Sequence, residues 1–154
     1  MLKPLSFAGL MLVAGIACAA MPGVTIQSSK ASFDDVKERV VTQIENRGLI
    51  INYTSHVGTM LERTGKDIGR DRQLYSQAEV LEFCSAGLSR STMEADPRNI
   101  VYCPYTIALY VLTSEPSRVY VSYRRPLATG SPQSMKALRA VGKLLDNIVG
   151  DALK

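Results

Sequence analysis

Residues 117–124 alternate strictly, with Val119, Val121 and Tyr123 in one phase and Tyr120, Ser122 and Arg124 in the other. Such a period of two marks a strand with one face turned inward. The preceding segment, 100–112, is rich in apolar and β-branched residues and is broken only at Pro104, which predicts a long strand pair with the proline at an edge, a bulge or a strand start. Ser114-Glu115-Pro116-Ser117 supplies the turn between them. Directly afterwards, Ser131 followed by Pro132 reads as an N-cap and first helical position. Met135, Leu138, Val141, Leu145, Ile148 and Ala152 then fall on one helical stripe. A sheet with one apolar face followed by a helix with one apolar stripe has few ways to bury both. The simplest is an α+β layer architecture, helices on one face of a largely antiparallel sheet.

The earlier elements fit the same plan. Residues 24–27 alternate as a short strand. Ser32 with Asp34 and Asp35 behind it starts a helix whose face is Phe33, Val36, Val40, Val41 and Ile44, closed by Asn46-Arg47-Gly48. Residues 49–53 predict a second strand, 58–65 a short helix bounded by glycines, 79–83 a third strand, and 88–95 a helix stopped before Asp96-Pro97. A polar loop through Gly69, Arg70, Asp71 and Arg72 separates the short helix from the third strand. Of the 154 residues, 46% are apolar and 21% charged, enough for a core without metals or a disulfide framework. There are no internal repeats or long linkers.

Residues 1–20 stand apart from this pattern. Lys3, an apolar stretch over 5–16 and the small residues Ala17-Cys18-Ala19-Ala20 have the layout of a cleaved secretory leader. The apolar stretch is short of the roughly 20 residues that cross a bilayer. The expectation is export to the periplasm or outside the cell, with a mature domain over 21–154 and no membrane span after cleavage. An uncleaved anchor and lipidation at Cys18 are the alternatives, the latter without the leucine usual three residues before such a cysteine. Cleavage lowers the net charge of +4 by one and removes one of three cysteines. The charges are interspersed, with no basic run, no glycine-rich phosphate loop and no aromatic RNA-binding signature, so nucleic acid is not expected as a partner.

Cys84 and Cys103, nineteen positions apart, are then two thiols in an oxidising compartment. A disulfide there would contribute roughly 3 kcal/mol in the chain-entropy model. Buried free thiols, and a redox or ligand role, are the other readings; without C-x-x-C a thioredoxin-like mechanism has little support. His56 is the single histidine, and Met60 lies one helical turn beyond it. Together with Cys84 and Cys103 they form a soft donor set suited to Cu(I) or to axial haem ligation, against the plainer reading of a capping histidine and a core methionine. Covalent haem attachment and a two-histidine zinc hydrolase site are excluded by the missing motifs. Ser55, Ser85 or Ser89 with His56 could make a hydrolase, but nothing resembles a nucleophile elbow. Arg90, Arg124 and Arg125 with Tyr102, Tyr105 and Tyr123 are candidates to line an anion-accepting pocket, solvated charge being the alternative. Asn52-Tyr53-Thr54 matches a glycosylation acceptor at a strand position, a chance match.

From about residue 33 to 125 the chain resembles the family known as domain of unknown function 302, in particular an exported subgroup. The resemblance rests on Asn46-Arg47-Gly48-Leu49, Ser55-His56-Val57-Gly58-Thr59-Met60-Leu61, Phe83-Cys84-Ser85-Ala86, Ser89-Arg90, Glu94-Ala95-Asp96-Pro97, Tyr102-Cys103-Pro104-Tyr105 and Tyr123-Arg124-Arg125. It implies a compact α+β fold that forms a homodimer, and no established activity or cofactor. Cytosolic members carry Cys-Asn-Pro where this chain has Cys84-Ser85-Ala86, and Leu-Pro-Cys where it has Tyr102-Cys103-Pro104. The expectation is an exported binding or accessory module without catalysis, its small pocket bordered by His56, Cys84, Arg90 and Cys103. The alternatives are a redox, soft-metal or haem protein using His56, Met60, Cys84 and Cys103, and a structural partner of another exported protein.

Overall fold

The computed structural model describes residues 21–154; the expected leader, with Cys18, lies outside the described residues. Five strands, β1 (Val24–Ser29), β2 (Ile50–Ser55), β3 (Tyr75–Cys84), β4 (Tyr105–Leu112) and β5 (Val119–Arg124), form one sheet in the order β1-β5-β4-β3-β2. All four pairings are antiparallel. Helices α1 (Phe33–Glu45), α2 (Val57–Gly65), α3 (Ala86–Ala95) and α4 (Pro132–Ala152) complete the fold. The expected α+β class, with helices packed on a sheet, is therefore the observed one.

The helices begin where the sequence offers acceptors for their free amides. Ser32, Ser85 and Ser131 each cap the helix that follows, accepting from Asp35, Leu88 and Ser134 respectively. Gly48, at φ 69°, takes the left-handed turn that leads α1 into β2. The inward phase of β3, β4 and β5 is Leu81, Phe83, Tyr105, Ile107, Leu109, Val111, Val119, Val121 and Tyr123, all buried. Against it lie Phe33, Val36, Val40 and Ile44 of α1 and Val141, Leu145 and Ile148 of α4. Each such side chain contributes roughly 1.5–3 kcal/mol by leaving water. On the opposite face Tyr110 stacks on Tyr120 with ring centroids 5.3 Å apart, and Tyr75 meets Tyr110 edge-on at 5.6 Å.

Two expectations are corrected. Residues 100–102 are not strand but the end of a 3-10 turn, Pro97–Tyr102, and β4 starts only at Tyr105, after a cis Cys103–Pro104 bond. The reason is local: Asp96 accepts from the Arg98 amide and Pro97 takes the first helical position, so capping outweighs the apolar run. Ile100 and Val101 consequently face solvent. The third strand also begins four residues earlier than its apolar run, because Tyr75, Gln77 and Ala78 pair with Leu112, Val111 and Tyr110. Among the described residues no helix is long and apolar enough to cross a membrane.

Candidate functional site

Cys84 is the last residue of β3, and the register that sets Phe83 opposite Tyr105 carries it to the start of β4. Ser85 caps α3, and one turn later Ser89, whose amide bonds the Ser85 carbonyl at 2.8 Å, turns back over the strand ends. The 3-10 turn delivers Cys103 from the other side, its amide held by the Ile100 carbonyl at 3.0 Å. Buried Asn99 anchors that turn, donating to the Thr92 carbonyl and to Ser134 Oγ of α4, each at 2.9 Å. Three elements thus converge on Ser89 Oγ, which lies 3.2 Å from Cys103 Sγ and 3.2 Å from Tyr105 Oη.

The electrostatics of this cluster are those of neutral groups removed from water. Burial, then the neighbouring Cys103 sulfur, pushes the Cys84 thiol above its ordinary value, against the Tyr105 amide and Ser89 hydroxyl, which favour its thiolate. Burial likewise raises the Tyr105 phenol. The disulfide expected for Cys84 and Cys103 is not formed: both are free, half-buried thiols, neighbours close enough for Cys103 to act on the Cys84 thiol.

The wall made by Tyr102, Pro104 and Tyr105 also bounds a cleft of about 330 Å³. Gly23, Val24, Thr106, Arg124, Arg125 and Leu127 are among its other lining residues. Arg125 is held in place from below. Its guanidinium pairs with Asp146 at 2.5 Å, and its stem lies over Gly142, where an added Cβ would stand 3.1 Å from Arg125 Cγ. Tyr123 donates to the same carboxylate at 2.6 Å, and burial followed by that contact raises its phenol pKa. Arg124 is exposed and has no carboxylate partner among the described residues. Of the six residues expected to line an anion pocket, Tyr102, Tyr105, Arg124 and Arg125 border this cavity, while Tyr123 and Arg90 do not.

The other expected participants go elsewhere. The side chain of Arg90 is 80% exposed on α3 and pairs with Glu94 at 2.7 Å. His56 caps α2 without a side-chain bond, and its Nδ1 stands 3.4 Å from Glu79 Oε1. Lys37 of α1 approaches Glu79 Oε2 at 2.6 Å, outside hydrogen-bond geometry. Met60 is exposed on α2, its sulfur beside the Thr64 hydroxyl. Glu79 and Cys84 are five residues apart on one strand, about 16 Å at the usual rise. The pocket bordered by His56, Cys84, Arg90 and Cys103 and the four-ligand metal set with Met60 are thus corrected: only the two cysteines meet. Among the described residues no three histidine, cysteine or acidic side chains gather as a metal site. Sequence reasoning missed Glu79 and understated Ser89. Glu79 shares the strand phase of Leu81 and Phe83, so a carboxylate in a core phase was a readable signal, and Ser85-x-x-x-Ser89 places two hydroxyls on one helical face.

Comparison with known proteins agrees with this architecture. A crystal structure of an uncharacterized conserved DUF302 protein from Bacillus stearothermophilus superposes with a TM-score of 0.71 at 13% identity, covering 87% of this chain and all of that one. At that identity the likeness shows the fold alone. No curated protein matches the chain. The family model described as domain of unknown function DUF302 matches residues 24–152, nearly all of the described domain, and the chain accordingly belongs to the DUF302 family.

Proposed function

We propose that this protein is an exported module that binds a small anionic ligand in the cleft between the start of β4 and the end of β5. The observation that carries the reading is Arg124, a guanidinium without a carboxylate partner, set beside Arg125 at a cavity of about 330 Å³ with an aromatic and proline wall. A planar guanidinium offers paired donors to a carboxylate, sulfate or phosphate, while Tyr102, Pro104 and Leu127 suit a ligand with an apolar part. Cavities of this size hold small ligands. Binding is favoured over catalysis because the residues a serine hydrolase would need together stand apart, Ser89 over the Cys84 end of β3 and His56 beside Glu79 at mid-strand.

Thermal denaturation with sulfate, phosphate and benzoate tests the reading. A ligand at 100 times its Kd stabilises by about 2.7 kcal/mol, a shift of several degrees, and Arg124→Gln abolishes the shift while leaving the unliganded Tm unchanged. No shift with any of the three, or the same shift in the variant, overturns it. Export and pairing with a second copy belong to the same proposal, supported by the leader-like first twenty residues and the family resemblance. A mature N-terminus near residue 21 and a mass of two chains by light scattering are the expected results.

A further inference from the structure

We propose that Cys84 and Cys103 together form a two-coordinate thiolate site for a soft monovalent cation of the Cu(I) type, separate from the anion cleft and independent of His56 and Met60. The register places one sulfur at the end of β3 and the other two residues before the start of β4, with Tyr105 opposite Phe83. Both thiols are free and half-buried, Cys103 Sγ lies 3.2 Å from Ser89 Oγ, and Ser89 and Cys103 both act on the Cys84 thiol. Thiolate is the donor that selects Cu(I). A closed-shell monovalent ion is satisfied by two such donors, whereas zinc asks for four, and the described residues provide no third ligand.

Binding forms two S–Cu bonds and breaks two S–H bonds, so one cation enters and two protons leave, with no change of oxidation state. The bis-thiolate complex carries one negative charge. The groups around it can carry that charge: the Ser89 hydroxyl, 3.2 Å from Cys103 Sγ, and the Tyr105 amide beside the Cys84 sulfur are both donors. Because two protons leave for each cation bound, affinity rises with pH.

The test is an anaerobic titration of the full-length, reduced protein with Cu(I) in competition with bicinchoninate, beside a Cys18→Ser control. One Cu(I) is expected per chain, with near two protons released, both Cys84 and Cys103 lost to alkylation, and a rise in Tm. Cys84→Ser and Cys103→Ser each weaken binding at least a hundredfold; Cys18→Ser, His56→Gln and Met60→Leu leave it within twofold. If a serine variant fails to fold, proton count and alkylation mapping on the unaltered chain decide. Binding that survives both serine substitutions, protection of fewer than two of these thiols, or no competition with bicinchoninate overturns the proposal.

Discussion

The C-terminal end of β3 and its middle hold the chemically richest groups of the molecule and differ in kind. At the Cys84 end, thiols, a hydroxyl and a phenol from β3, α3, the 3-10 turn and β4 meet around Ser89, uncharged and largely withdrawn from water. At mid-strand the Glu79 carboxylate sits between Lys37 and His56, and the imidazole is 63% exposed. The first is assembled by strand register and a capped helix, the second by charges finding each other at a rim. About 16 Å of strand keeps them apart. Donor types that read as one constellation along the chain are therefore two unrelated groups in space, the first beside the cleft that Tyr105 lines and the second beside a smaller one lined by His56 and Glu79.

The largest expected effect lies at the thiol end. Phe83 is fully buried and packs edge-on against Tyr105, ring centroids 6.0 Å apart, so Phe83→Ala leaves a cavity under the cluster and costs about 3–5 kcal/mol in urea denaturation. A loss below about 1 kcal/mol would mean that the cluster does not rest on this packing. At mid-strand Glu79→Ala leaves Lys37, whose side chain is one-third exposed, without its partner and should cost about 1–3 kcal/mol while leaving Cys84 alkylation unchanged. A change in thiol reactivity in that variant would join the two groups.

Ser89→Ala should cost about 1 kcal/mol, the usual net worth of a hydrogen-bonding hydroxyl. Its sharper readout is chemical. Ser89 favours the Cys84 thiolate, so its removal raises the Cys84 pKa further, and alkylation of Cys84, followed by peptide mapping, should shift to higher pH. In the folded chain that raised pKa also means that Cys84 contributes stability below the ordinary thiol pKa and loses it as pH rises through the folded value. The smallest effect is on the acid side. Hydrogen bonds from Arg98 hold half-buried Asp96 down at about 2, so its contribution is full above the ordinary carboxylate pKa of about 3.9 and lost as pH falls toward 2. Asp96→Asn should flatten acid unfolding in that window alone, since Asp96 starts the turn that delivers Cys103.

Much of the fold was legible because caps and periodicity act locally. Ser32 with Asp35, the stripe of α1 and the inward phase of β5 stand in the molecule as they read in the chain. Asp96-Pro97 carries the same signal as Ser131-Pro132, yet the apolar Ile100 and Val101 make the segment look like strand. Solvent takes those two side chains because the turn exists to seat Asn99 against α4. The candidate site was legible as a set of residues but not as a grouping.

What the chain determines by itself is the inventory: which segments are amphipathic, where helices start, which strand phase faces inward, and that two cysteines belong to the domain. Those follow from side-chain spacing and capping chemistry, which need only neighbours in sequence. The tertiary structure alone decided that Cys84 meets Cys103 without a bond, that Arg124 and Arg125 share a cleft with Tyr102, and that His56 joins Glu79 instead of the thiols. Each depends on the register of β3 against β4 and on the seating of α3 upon α4. Pairing across a sheet is set by the burial of every side chain at once, and no local stretch encodes it.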